Sequence, residues 1–212
     1  MTTESKTTVS GAAALAVVHT LSAAESASVD ALVAQIKSQD DKVRGPAWQN
    51  AGQYGATAVK PLAELMSDPD METARSAKRA LWQIVRDAGR PGAKAKASAV
   101  TAALLSLLSS KATNVQREAL WMLSEIAGNE AATPMAALLS DAQLREDARC
   151  ALTRLPGAKA TAALKAALGS VPADFKPAIA QSLRARGEKV AGFPSQKLTP
   201  TRKTSAVHQT GP

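Results

Sequence analysis

The chain has little of what most enzymes and disulfide-stabilised domains depend on. Its single cysteine, Cys150, excludes an intrachain disulfide and a cysteine-based metal cluster. Its two histidines, His19 and His208, lie near the ends, so a central domain has no histidine for general-base chemistry or metal binding. We also find no phosphate-binding glycine loop and no Gly-x-Ser-x-Gly nucleophile motif. The sequence therefore predicts a protein that is not an enzyme and holds no cofactor or metal.

Aromatic residues make up only 3% of the chain. Valine and isoleucine are sparse and do not alternate with polar residues, so no β-strand is predicted. No apolar run is long enough to span a bilayer. Alanine is abundant; it has the highest helix propensity, and its small side chain suits close packing of helices. These features predict an all-α fold.

Glycine and tryptophan recur together along the sequence. Five glycines, 29 to 39 residues apart, each follow a helix-like run, and each is predicted to end it in the left-handed conformation: Gly55, Gly89, Gly128, Gly157 and Gly187. The chain's three tryptophans stand seven residues before the first three of these: Trp48, Trp82 and Trp121. A period of this length is typical of stacked helix pairs.

An apolar quartet opens each repeat. Four quartets have the spacing i, i+4, i+7, i+8, which lies on one stripe of an amphipathic helix. They are Ala58, Leu62, Leu65 and Met66; Val100, Leu104, Leu107 and Leu108; Ala131, Met135, Leu138 and Leu139; and Ala160, Leu164, Ala167 and Leu168. The first repeat has a variant, Val29, Leu32, Val33 and Ile36.

Two stretches carry a resemblance to a known family. Residues 117–135 (REALWMLSEIAGNEAATPM) and the Asp41-Lys42-Val43-Arg44 segment are similar to HEAT repeats, particularly their short bacterial form, the PBS-lyase HEAT-like repeat. The resemblance covers roughly residues 29–187, and the loop at 90–96 departs from it by insertion. It implies a right-handed α-solenoid of about five HEAT-like helix pairs, whose second helices line a concave surface.

The tryptophans do not fall on the core stripes of their own helices. In the second repeat, Arg79, Trp82 and Arg86 lie opposite the stripe of Ala77 and Leu81. Tryptophan and arginine are enriched in binding hot spots, so this row is a candidate partner-binding surface. Packing of each indole between adjacent repeats is the alternative. The candidate residues are Arg44, Trp48, Lys78, Arg79, Trp82, Arg86, Arg117, Trp121, Arg154 and Arg184.

The net charge of +8 is unevenly distributed. Residues 74–111 carry 8 basic and 1 acidic side chains, and residues 148–212 carry 11 and 2, whereas residues 1–73 and 112–147 are net acidic. A basic block attracts acidic protein, nucleic acid or anionic lipid alike, and it is also compatible with an ordinary solvated surface.

The leading functional prediction is a scaffold that binds a protein partner, through an acidic segment of that partner, on the Trp/Arg row. A nucleic-acid-binding solenoid with phosphate contacts is the alternative, although the acidic block at 112–147 interrupts a continuous phosphate track. A third hypothesis, a DNA glycosylase, depends on similarity to HEAT-like alkylpurine DNA glycosylases. Its candidate carboxylates near a tryptophan are Glu125, one turn after Trp121, and Asp87, which follows Trp82.

Both ends fall outside the repeats. Residues 1–28 combine Lys6, an apolar stretch and a small-x-small site ending at Ala24, which resembles a secretory signal and favours export over a cytoplasmic location. Glu4 and His19 depart from that pattern, and an alanine-rich capping helix is the alternative. Residues 188–212 predict a basic flexible tail whose start is held on the last repeat by Phe193 and Leu198.

Overall fold

The computed structural model describes residues 28–194, and this part of the chain is helical without any strand. Helix α1 covers residues 28–36. The others are α2 (Asp41–Gln49), α3 (Val59–Leu65), α4 (Met71–Ala88), α5 (Lys94–Leu107), α6 (Thr113–Ile126), α7 (Ala132–Ala137), α8 (Arg145–Arg154), α9 (Ala158–Ser170) and α10 (Lys176–Ala185). Short 3-10 segments, Ala51–Ala58, Asn129–Ala131 and Leu138–Ser140, precede α3 and flank α7.

The helices form five consecutive pairs that stack into an α-solenoid. Each second helix contacts the next one along the chain, so that α2, α4, α6, α8 and α10 form a continuous layer. Among the first helices, α3 contacts α5 and α7 contacts α9. Neighbouring pairs therefore supply the core that no pair could bury alone. The all-α solenoid predicted from the periodicity is confirmed.

The core follows the predicted quartets on the first helices. Most members are buried, and the exceptions are half-buried: Val33, Leu65, Leu138 and Leu168. The second helices are buried over a wider arc than predicted, because α4, α6 and α8 each pack against the first helix of their own pair and against two neighbours in the layer. Ser124 on α6 is buried for this reason, and its hydroxyl donates to the Trp121 carbonyl.

The predicted left-handed ending is found at Gly187, which follows α10 with φ +86°. Gly55 and Gly157 also have positive φ, but their ψ values of −143° and 165° are not those of a left-handed helix end. Gly89 (φ −77°) and Gly128 (φ −113°) have negative φ, so the left-handed ending predicted there is wrong. At Gly89 the requirement is space instead. A Cβ atom there would lie 3.2 Å from Ile126 Cγ2, so glycine lets the end of α4 approach α6.

Arg186, which follows α10, connects the last pair to the end of the fourth. Its guanidinium donates five hydrogen bonds of 2.6–3.0 Å to the end of α8 and the loop and helix that follow, at the carbonyls of Leu152, Thr153, Leu155 and Gly157 and the hydroxyl of Thr161. Carbonyls at a helix end have no intrahelical partner, so this arginine acts as a C-terminal cap supplied by the next helix pair.

The described range covers only part of the predicted end segments. Residues 188–194 lie beside the last pair, where Arg184 donates to the carbonyls of Val190 and Phe193. The predicted signal-like segment or capping helix, apart from residue 28, and the tail from residue 195, including Leu198, lie outside the described residues. Of the helices that are described, none is long and apolar enough to cross a bilayer.

Candidate protein-binding surface

The three tryptophans lie along one line of contacts across α2, α4, α6 and α8, which we call the second-helix surface. The Arg79 guanidinium lies 5.4 Å from the centroid of the Trp48 ring. Trp82 Nε1 donates to Glu118 Oε2 across 3.2 Å, and Trp121 Nε1 donates to Asp147 Oδ1 across 2.9 Å. Each tryptophan is therefore linked to the next helix of the layer.

Two of the indoles belong to a repeated ion-paired unit. One turn before Trp82, Lys78 pairs with the same Glu118 that accepts the indole N–H. One turn before Trp121, Arg117 Nε contacts Asp147 Oδ2 at 2.8 Å. Both carboxylates keep only 18% of their side-chain surface exposed, which limits screening by water. Trp82 and Trp121 thus bridge adjacent helix pairs with half-buried rings, as the packing alternative described.

Trp48 differs from the other two tryptophans. Its ring is half-buried, but its indole N–H has no hydrogen-bond partner within residues 28–194. Trp48 lacks an acceptor because of one residue in the following repeat, which stands three positions before that repeat's own tryptophan or Cys150. This residue is Glu118 in the third pair and Asp147 in the fourth, but it is Arg79 in the second pair. An arginine covers the ring face but cannot accept the indole proton.

Most of the predicted cations on this surface are already engaged. Arg154 pairs with Glu125 and lies 5.9 Å from the Trp121 ring centroid. Arg184 is bound by carbonyls of the segment that follows α10. These ion pairs, with those of Lys78 and Arg117, neutralise the α6–α8 part of the surface.

Arg44 does not lie on the exposed surface. It is 7% exposed, donates to the Ser38 carbonyl at 2.6 Å and pairs with Asp41. Its guanidinium contacts the turn between α1 and α2 and the first residue of α2, and these contacts hold it away from the exposed surface. The expectation that Arg44 flanks the tryptophan row is corrected accordingly.

Arg79 and Arg86 are the exposed exceptions. Neither forms an ion pair or hydrogen bond within the described part of the chain, and both lie on α4 at the helical spacing that flanks Trp82. Unneutralised positive charge on the second-helix surface is therefore concentrated at the first two helix pairs, beside Trp48.

The fourth pair replaces tryptophan by Cys150, and its link to the fifth pair is different. Arg149 Nη1 donates to Ser182 Oγ of α10 across 2.6 Å and also pairs with Glu146. The hydrogen bond from Arg149 lowers the pKa of Glu146. Burial raises the pKa of the Cys150 thiol. A half-buried thiol with a raised pKa is a poor nucleophile.

Both carboxylates that the glycosylase hypothesis would use form ion pairs. Asp87 pairs with Lys96 and Arg90, and Glu125 pairs with Arg154. Across residues 28–194, no three side chains of histidine, cysteine, aspartate or glutamate are grouped so that they could hold a metal ion.

The indole acceptors Glu118 and Asp147 were not predicted from the sequence. The signal was present, because each acidic residue stands three positions before the aligned tryptophan or cysteine of its own repeat. Each also belongs to the acidic block at 112–147. Aligning the second helices against one another would have shown them opposite the indole of the preceding repeat.

No family model matches the chain, and no curated protein matches it. Among solved structures, an engineered protein has 23% identity and a TM-score of 0.38, with 74% of this chain and 78% of that chain covered. A designed armadillo repeat protein in complex with the peptide (KR)4 has 20% identity and a TM-score of 0.43, with 73% and 80% covered. A second designed armadillo repeat protein has 18% identity and a TM-score of 0.34, with 73% and 98% covered.

Proposed function

We propose that this chain is a non-enzymatic helical-repeat scaffold of HEAT type that binds an acidic segment of a protein partner. The binding surface is the part of the second-helix surface formed by α2 and α4. One observation carries the proposal. Of the ten residues predicted from the sequence, Trp48, Arg79 and Arg86 are those whose polar groups have no hydrogen-bond or ion-pair partner in the described structure.

Binding a carboxylate costs less free energy at α2 and α4 than along the rest of the second-helix surface. A ligand carboxylate at α6–α8 would have to displace Glu118 or Asp147 from their cations and indoles. At α4 it meets free guanidinium groups and displaces only water. Trp48 adds an apolar ring edge and an N–H donor that a ligand carbonyl or carboxylate can use. A tryptophan beside unpaired arginines is the composition typical of a binding hot spot.

An acidic segment fits this surface better than a nucleic acid backbone. The free cations are few, and Arg79 and Arg86 lie about two helical turns apart on α4, so they suit a short stretch of carboxylates. On α6 and α8, Arg117 and Arg154 are already paired with carboxylates, so a phosphate track over these helices would find neither of them free.

The test uses a fluorescein-labelled peptide of alternating glutamate and leucine and measures fluorescence anisotropy. Wild-type protein should bind it saturably. Trp48→Ala should weaken binding by about thirtyfold, as loss of a hot-spot side chain does. Arg79→Gln should weaken it by about tenfold through loss of a charge-assisted contact. Lys111→Gln, which removes an exposed charge outside this surface, is the matched control and should bind as wild type does.

The same assay distinguishes binding of an acidic peptide from binding of a nucleic acid. Labelled oligothymidylate should bind more weakly than the acidic peptide at moderate salt. Tighter binding of the oligonucleotide, with affinity falling log-linearly as salt rises, would replace the proposal with phosphate recognition. Equal binding of the peptide by wild type and Trp48→Ala would contradict the surface assigned here.

A further inference from the structure

A cleft of about 830 Å³ opens between the C-terminal half of α4 and the end of α2 with the 3-10 segment Ala51–Ala58 that follows it. Its lining includes three glutamines and three cations: Gln49, Gln53, Gln83, Arg86, Arg90 and Lys96. The only carboxylate in the lining is Asp87, so the cleft has a net positive charge.

The cleft has a fixed frame. Asp87 forms ion pairs with Lys96 and Arg90, and Lys96 Nζ also donates to the Gly52 carbonyl at 2.9 Å. A Cβ atom on Gly52 would lie 2.9 Å from Asp87 Cβ, so glycine is needed for the 3-10 segment to pack this closely on α4. Arg90 and Lys96 come from the insertion at 90–96, the loop that departs from the repeat pattern.

Arg86 and the glutamines are not part of that frame. The Arg86 guanidinium and the side-chain amides of Gln49, Gln53 and Gln83 have no hydrogen-bond partner among the described residues, although all four line the cleft. Because Asp87 is already held by two other cations, it does not neutralise Arg86. A guanidinium binds a carboxylate through two parallel hydrogen bonds. A primary amide can donate to a peptide carbonyl and accept from a peptide N–H.

We infer that this cleft binds a carboxylate of an extended peptide, with Arg86 on the carboxylate and Gln49 and Gln83 on the flanking main-chain amides. The inference rests on the proposed function, because the ligand is the acidic segment that contacts Trp48. The carboxylate can come from an aspartate or glutamate side chain or from a chain terminus. Gln49 of the cleft follows Trp48 on α2, and Arg86 shares α4 with Arg79, so we place the cleft and Trp48 in the path of one extended peptide.

Two short acetylated peptides distinguish these sources. One is leucine-glycine-leucine with a free C-terminal carboxylate, and the other is leucine-glutamate-leucine with an amidated end. Each is titrated into ¹⁵N-labelled protein while side-chain NH₂ and tryptophan N–H signals are followed. We expect the Gln49 and Gln83 NH₂ signals to shift with saturation, and the peptide that binds tighter identifies the source of the carboxylate.

Arg86→Gln should weaken that binding by at least about tenfold. Arg75→Gln is the matched control, since Arg75 lies on the same helix but is paired with Glu72, and it should leave the affinity unchanged. If peptides shift the Trp48 signal but not the glutamine signals, and Arg86→Gln binds them normally, the cleft inference fails while the proposed function stands. If neither these peptides nor the longer acidic peptide binds, both fail.

Discussion

Trp121 donates its indole N–H to Asp147 across 2.9 Å, and Trp82 has the same relation to Glu118 one helix pair earlier. Trp48 occupies the equivalent sequence position but faces Arg79 instead of a carboxylate. The three tryptophans occupy the same position in their repeats, but their environments are of two kinds. Two tryptophans connect the helix pairs, and the third keeps its polar group free.

The first prediction concerns stability. Trp82→Ala and Trp121→Ala should each lower the free energy of unfolding by about 2–3 kcal/mol, because each removes a half-buried ring and leaves a partly buried carboxylate without one donor. Trp48→Ala should cost about 1 kcal/mol, since no hydrogen bond is lost. Urea unfolding followed by circular dichroism measures all three. Equal losses for the three variants would contradict the division of roles.

The second prediction concerns the cap that Arg186 places on α8. Arg186→Ala should destabilise the protein by about 2–3 kcal/mol, because several carbonyls at a helix end lose their donor at once. Hydrogen exchange should show the largest loss of protection in α9 and α10. Lys159→Ala, an exposed change at the start of α9, is the control and should leave exchange unaltered. Uniform loss of protection over all five pairs would contradict a local anchor.

The third prediction concerns acid stability and Asp70, the N-cap of α4. Its carboxylate accepts hydrogen bonds from the Thr73 hydroxyl (2.6 Å) and amide (2.9 Å), and these lower its pKa below the ordinary 3.8. A depressed folded-state pKa stabilises the protein above pH 3.8, and this contribution is lost as the pH falls below that value.

Asp70→Asn keeps an N-cap acceptor but does not titrate. Its unfolding free energy should therefore fall less steeply than that of wild type as the pH is lowered from about 4 to about 2. Denaturant unfolding at a series of pH values gives both curves. Parallel curves would show that the Asp70–Thr73 contact does not contribute to acid sensitivity.

The fourth prediction concerns the reactivity of Cys150. Because burial raises the pKa of its thiol, little thiolate is present at neutral pH. Iodoacetamide should alkylate the folded protein at least about tenfold more slowly than the urea-unfolded chain at pH 7. The rate should rise with pH up to values above the ordinary thiol range. Equal rates for folded and unfolded protein would contradict the half-buried environment.

Short-range patterns made the helices and much of the core predictable. Leu62, Leu104 and Leu164 are buried where the apolar spacing placed them, because an amphipathic stripe depends on residues only a few positions apart. The mispredicted glycines show the limit of such patterns. Glycine is needed at position 89 because a side chain there would crowd Ile126. Ile126 belongs to another helix pair, and no local sequence pattern indicates that contact.

The polar surface was less predictable for the same reason. Glu118 lies 36 positions from Trp82, and Asp147 lies 26 positions from Trp121. Helical spacing placed the cations on one side but could not show which of them an acidic side chain neutralises. Arg44 was assigned to the surface by its repeat position, whereas a carbonyl in the preceding turn holds it in the interior.

The most direct test of the account uses variants that each retain one tryptophan. In the protein carrying Trp82→Phe and Trp121→Phe, the emission reports Trp48 alone. In the protein carrying Trp48→Phe and Trp82→Phe, it reports Trp121 alone. Titration with the glutamate-leucine peptide should change the Trp48 emission with saturation and leave the Trp121 emission constant. A saturable response from Trp121 with none from Trp48 would contradict the placement of the binding surface on α2 and α4.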